Sequence, residues 1–147
     1  MKQIVEMCKI EPTIREIVGA GGVVRLTVTG QSMSPTLIEK RDSVLLKKPD
    51  KLKKGDIVLY QRKNGDYVLH RIVKKKKGEF GLCGDNQTLV EYPIYQEQVF
   101  GAVSGIIRKG KTIPVTNFKY QVASFVWTNF IKLRPLIIRK YVKIKRK

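Results

Sequence analysis

Acidic residues run out two thirds of the way along this chain: none follows Glu97, although twelve of the 30 Lys and Arg residues still do. Histidine is almost missing too. His70 stands alone, and the two cysteines, Cys8 and Cys83, lack metal-ligand spacing. A zinc site is therefore not expected, and no other cofactor is called for. Two cysteines do not demand a disulfide, so a reducing compartment suits the chain as well as any. No window approaches the roughly 20 apolar residues of a spanning helix, and the longest uncharged stretch near the C-terminus, residues 120–131, is too short. Glu6, Glu11, Arg15 and Glu16 interrupt every apolar run at the N-terminus, which excludes a secretory signal there. These absences predict a cytoplasmic or peripheral-membrane protein.

What is present is enough for one domain with a true core: 147 residues, 42% of them hydrophobic. The formal net charge is +18, and two thirds of it lies after Glu97. A field of that sign calls for an anionic partner, whether nucleic acid, a membrane surface or an acidic peptide.

The apolar pattern predicts short strands over residues 23–28, 43–47, 57–60, 67–73, 79–83 and 99–107. Asn64-Gly65 marks a tight hairpin between the third and fourth, and residues 74–78, Lys-Lys-Lys-Lys-Gly, read as a solvated turn. Before them, Ile4, Met7, Cys8, Ile14, Ile17 and Val18 suit a helix interrupted near Pro12. After residue 115, Val122, Ala123, Phe125, Val126, Phe130 and Leu133 fall near one helical stripe among basic residues. Such a tail either lies on a membrane surface or packs its stripe on the sheet. The expected fold is mainly β: a small antiparallel sheet or partly open barrel with an N-terminal helix and a basic C-terminal helical tail. The expected divisions are residues 1–20, 21–114 and 115–147.

The chain is organised around residues 29–37, Thr-Gly-Gln-Ser-Met-Ser-Pro-Thr-Leu. A strand runs into a turn stiffened by Pro35, with Gly30 free to bend and Ser32 presented at the bend. On these residues alone Ser32 is a nucleophile, a helix cap or an ordinary turn serine. His70 alone reads more readily as a half-buried polar side chain than as a base.

Four segments in order narrow the choice. Ser32-Met33-Ser34-Pro35-Thr36-Leu37, Lys54-Gly55-Asp56-Ile57-Val58, Val68-Leu69-His70-Arg71-Ile72-Val73 and Gly84-Asp85-Asn86 resemble the boxes of the signal peptidase I superfamily, serine proteases that include the LexA-type self-cleaving proteins. The resemblance covers roughly residues 23–107. It implies that Ser32 is the nucleophile and His70 the general base. A histidine followed by arginine is similar to the endoplasmic-reticulum, archaeal and sporulation-related signal peptidases, whereas bacterial signal peptidases and LexA-type proteins use lysine. Histidine needs no special burial to act as a base near neutral pH.

The resemblance leaves the acid open: Glu91 falls where that group carries an aspartate, and Asp85 is the second candidate. Asp56 reads as a turn residue. Gly30 replaces the serine that many signal peptidases use as an oxyanion donor, as in LexA-type members, leaving the Ser32 amide for that task. Val28, Gly30, Met33, Leu37 and Val68 are expected to line a cleft for an extended peptide. The implied function is a serine endopeptidase acting on a leader or signal peptide, with a precursor polypeptide as partner; the basic tail either holds it on an anionic membrane or leaves it free to trim a cytoplasmic precursor. The alternatives are a LexA-type protein cleaving itself at Ala20-Gly21, and a non-enzymatic basic module that binds nucleic acid.

Overall fold

The computed structural model describes residues 2–145, with side chains from Lys9 to Ile144. Helix α1 (Lys2–Gly19) leads into β1 (Val24–Thr27), β2 (Asp42–Lys47), β3 (Ile57–Gln61), β4 (Tyr67–Lys76), β5 (Glu79–Cys83), β6 (Glu91–Tyr95), β7 (Val99–Arg108) and β8 (Lys111–Pro114). Helices α2 (Phe118–Asn129) and α3 (Arg134–Lys145) follow. The strands form one antiparallel sheet in the order β1-β2-β7-β3-β4-β5-β6, and β8 pairs with the far end of β7.

Strand β3 explains why the sheet is buried on both sides. Its successive side chains alternate between faces, yet Ile57, Val58, Leu59 and Tyr60 are all buried. Ile57 and Leu59 join Val28, Met33, Leu37, Val44, Leu46 and Phe100 in one core, against which Ile14 and Val18 of α1 pack. Val58 and Tyr60 join Ile72, Phe80, Leu82, Ile94 and Val99 in another.

Three expectations need correction. Helix α1 runs through Pro12 without a break; Ile14 and Val18, one turn apart, anchor its second half on the sheet, and that burial outweighs the lost backbone donor. The side chains of Ile4, Met7 and Cys8 lie outside the described ones. The four-lysine run is not all turn, because β4 continues to Lys76, where Lys75 pairs with Phe80 and Lys76 with Glu79; lysines serve well on a solvated strand end. Strands β6 and β8 were not anticipated. Both are short, and β6 contains Pro93 and exposed tyrosines that hide any alternation.

The tail is inside out relative to its apolar stripe. Val122, Ala123, Phe125, Phe130 and Leu133 are exposed, while Ser124, Trp127 and Thr128 are buried. A polar demand beneath α2, described next, sets this orientation.

Candidate functional site

The turn after β1 is held from both ends. Met33 and Leu37 are buried in the core, and the Leu37 amide donates to the Met33 carbonyl at 2.9 Å. Gly30 sits at φ +81°, where a side chain is disfavoured, and its amide donates to Glu39 Oε2 at 2.9 Å. Between these anchors Ser32 is half-buried, and its carbonyl accepts the Asn86 amide at 2.9 Å.

Hairpin register places His70. It lies opposite Val58 on neighbouring strands, so Tyr60, two residues beyond Val58, shares its face. Ser32 and His70 converge at Gly84. A Cβ on Gly84 would stand 2.5 Å from the Ser32 carbonyl oxygen and 3.0 Å from His70 Nε2. Only glycine permits that approach. Both residues line one cleft of about 280 Å³, together with Val28, Gly30, Met33, Val68 and Gln87. Of the five expected cleft residues, Leu37 alone does not line it; it is fully buried in the core behind the turn.

Glu91 reaches His70 through a phenol. Tyr60 Oη lies 3.2 Å from His70 Nδ1 and donates to Glu91 Oε2 at 2.8 Å, while Nδ1 is 4.0 Å from Glu91 Oε1. A phenol has a single proton. Since Tyr60 donates it to Glu91, its oxygen is left to accept from Nδ1–H. That arrangement leaves Nε2, the nitrogen beside Gly84, without a proton and free to accept one. Arg62 grips Glu91 with two nitrogens, Nε at 3.1 Å and Nη2 closer still.

Burial sets the charge states. His70 is almost wholly shielded, and loss of solvent pulls its pKa down to about 4, with the negative charge of Glu91 opposing the shift. Burial also acts to raise the Glu91 pKa, but hydrogen bonds from Arg62 and Tyr60 hold it below the ordinary value. At neutral pH the site thus carries a neutral imidazole and an ionised carboxylate. The Tyr60 hydroxyl is held firmly in its protonated form by burial and by its bond to Glu91.

Asp85 faces elsewhere. Arg71 follows His70 on β4 and therefore points to the opposite face. Its Nε and Nη2 each donate to an Asp85 oxygen at 2.9 Å, and both residues are fully buried. Arg71 Nη1 completes its bonds with the Gly55 carbonyl at 3.0 Å and Ser124 Oγ at 2.6 Å. This is the polar demand that turns Ser124 of α2 inward. Asp56 takes the Lys53 amide at 2.9 Å, in keeping with a turn role.

A second buried guanidinium comes from the tail. Arg134 donates to the carbonyls of Trp127, Gly84 and Gln87 at 3.0, 2.8 and 2.9 Å, and lies 3.8 Å from Asp85. Sequence reasoning missed Tyr60, Arg62, Gly84 as the point of close approach, and Arg134. The hairpin signal at Asn64-Gly65 would have given the register that brings Tyr60 to His70; for Arg134 no signal existed. Among the described residues, no group of three His, Cys, Asp or Glu side chains could hold a metal ion, and no helix is long and apolar enough to cross a membrane.

No curated protein matches the chain. A family model, described as Peptidase S24-like, matches residues 4–104, well over half the chain and a span that includes Ser32, His70, Gly84 and Glu91. The chain therefore belongs to the S24-like peptidase family, within the LexA and signal peptidase I superfamily of serine peptidases.

Proposed function

We propose that the protein is a serine endopeptidase that cleaves a leader or signal peptide from another polypeptide, with Ser32 as nucleophile and His70 as base. The observation that carries this reading is that Ser32 and His70 line one cleft, with the Ser32 carbonyl and His70 Nε2 both beside Gly84 and Nε2 left as an acceptor. Ser32 Oγ attacks the scissile carbonyl carbon while its proton passes to Nε2. The imidazolium so formed donates through Nδ1–H to Tyr60, whose own hydroxyl donates to the Glu91 carboxylate; the positive charge is steadied across the phenol. Collapse of the tetrahedral intermediate breaks the C–N bond, and the amine leaves with the proton from Nε2. Water then attacks the acyl ester, gives a proton to Nε2, and Ser32 recovers it as the acid product departs. The Ser32 backbone amide is the oxyanion donor in this scheme.

Strand edges support an extended substrate. Among the described residues, β1 pairs only with β2, and residues 67–70 of β4 pair only with β3. Both stretches line the cleft, so a peptide strand laid between them meets backbone groups on either side. Leu26, Val28, Met33, Val68 and Leu69 favour apolar side chains there.

Cleavage of another chain is favoured over self-cleavage at Ala20-Gly21. Those residues close the end of α1, with the Ala20 amide on Glu16 and the Gly21 amide on Val18. Gly21 lines a different cavity, that of Lys47 and Tyr120. The test is labelling with a serine-directed acylating probe, followed by turnover of an internally quenched peptide with an apolar leader. Wild type should label and cleave, and Ser32→Ala and His70→Ala should do neither. Equal labelling of all three defeats the proposal, and shortening of pure protein at a rate independent of concentration transfers it to self-cleavage.

A further inference from the structure

Most amphipathic helices turn their apolar stripe inward; α2 does the reverse. Arg71 and the Gly55 carbonyl draw Ser124 to the inner face, and Thr128, buried beside it, donates to the Ser124 carbonyl at 2.6 Å. Phe118, Val122 and Phe125, spaced four and three residues apart, share the outer one. Phe118 is 80% exposed and Phe125 63%, and Phe130, Leu133 and Leu136 continue the exposed apolar surface into α3. A row of this length on a soluble face marks an interaction surface.

The surroundings identify the occupant. Lys119, Arg139, Lys140 and Lys143 are exposed on the same two helices and Lys132 between them, and no acidic residue occurs anywhere after Glu97. The end of β2 and the loop to β3 add five lysines, Lys47, Lys48, Lys51, Lys53 and Lys54, along a cavity shared with α2, against two aspartates. Lys54 Nζ donates to Asn129 at the end of α2, 3.1 Å away. We propose that this face docks on an anionic lipid bilayer, with the phenylalanines in the headgroup and acyl boundary and the lysines and arginines at phosphate level. A second copy of the chain fits poorly, since pairing two such faces brings like charges together with only two aspartates on each to offset them. Nucleic acid would use the lysines but gains nothing from an outward row of aliphatic and phenyl groups on a helix.

Docking would have a consequence for the cleft, and this part alone rests on the peptidase reading. Gln87 lines both the Ser32–His70 cleft and a groove under α3 that includes Pro135, Ile138 and Arg139. Arg134 ties that segment to Gly84 and Gln87. The membrane-facing helices are thus fixed to one wall of the cleft, so a peptide emerging from the bilayer meets the site from beside the docked face.

The test is co-sedimentation of full-length Ser32→Ala protein, which keeps proteolysis out of the measurement, with vesicles of phosphatidylcholine alone or with about 30% phosphatidylglycerol, a strongly anionic surface. Binding should require the anionic lipid and weaken as salt is raised. Phe118→Ser/Phe125→Ser should lower the partition coefficient more than tenfold with unchanged circular dichroism, as both side chains meet solvent. Lys140→Gln/Lys143→Gln should weaken binding and flatten its salt dependence. Failure to pellet with anionic vesicles at low salt overturns the proposal. So does binding that the phenylalanine substitutions leave intact, a dimer in light scattering that they abolish, or tighter capture by duplex DNA than by vesicles.

Discussion

Removing one oxygen atom tests the proposed machinery most directly. Tyr60→Phe keeps the ring, which is fully buried among Val58, Ile72 and Phe80, and deletes only the hydroxyl between His70 and Glu91. Two losses follow. In the resting enzyme Nδ1–H is buried without an acceptor, which costs about 1–3 kcal/mol; for a chain of this length that is a fall in Tm of roughly 2–10 °C. In the transition state the imidazolium loses its link to the carboxylate. Hydrogen bonds to charged groups contribute about 1.5–3 kcal/mol, so kcat/KM should fall roughly 10- to 150-fold. The loss belongs in kcat, because Tyr60 does not line the substrate cleft. Steady-state kinetics on a quenched peptide, with Glu91→Gln and the double variant, complete the measurement. If Glu91 acts through the phenol, the double variant is scarcely worse than either single one. Nitrogen NMR of His70 should show the Nδ1–H tautomer in wild type. Wild-type turnover by Tyr60→Phe, or strictly multiplicative losses in the double variant, would refute the bridge.

The remaining predictions separate catalysis from support. With His70 near pKa 4, its neutral form persists well below neutrality, so kcat/KM should hold from pH 7 towards pH 5 and fall with a midpoint near 4; a limb centred at about 6.5, the unperturbed value, would show that the ring is hydrated in solution. The same depressed pKa favours the fold above about pH 6.5, and that contribution should drain away as pH drops towards 4, because the unfolded chain binds the proton first. Asp85→Ala leaves Arg71 charged and fully buried and should cost about 3–5 kcal/mol in urea unfolding, whereas Glu91→Gln, half-buried, should change stability little and rate strongly. Gly84→Ala sets a methyl 2.5 Å from the Ser32 carbonyl and 3.0 Å from His70 Nε2; the backbone must move, and a loss of about 100-fold in kcat/KM is expected.

Much of the fold, and the strands that carry the candidate site, was legible because both rest on local rules. Alternation of apolar residues located six strands, and the Asn64-Gly65 turn fixed the register that sets Val58 against His70. Strands β6 and β8 escaped because edge strands have little burial to impose a pattern; only Ile94 of β6 is buried. Assigning the acid required knowledge of faces rather than of spacing. Asp85 and Glu91 are both near His70 in the chain's overall plan, but Asp85 is committed to Arg71 on the far side of β4.

That alternation on β4 also explains how a tail outside the matched span comes to bear on the cleft. His70 and Arg71 are neighbours pointing apart, one towards Ser32 and the other into a buried pair with Asp85. A buried guanidinium must satisfy five donors; Asp85 and Gly55 take three of them, and Ser124 of α2 accepts a fourth. That bond forces the polar side of α2 inward and the phenylalanines outward, the orientation that periodicity alone left open. Arg134, fully buried, then binds the carbonyls of Gly84 and Gln87. The glycine beside which the Ser32 carbonyl and His70 Nε2 both stand is thereby held from behind by the helices that carry the exposed apolar face. Replacing Arg134 by Met should therefore lower kcat more than it raises KM, by loosening Gly84 without touching the cleft's apolar lining; a change confined to KM would mean that the tail acts on substrate alone.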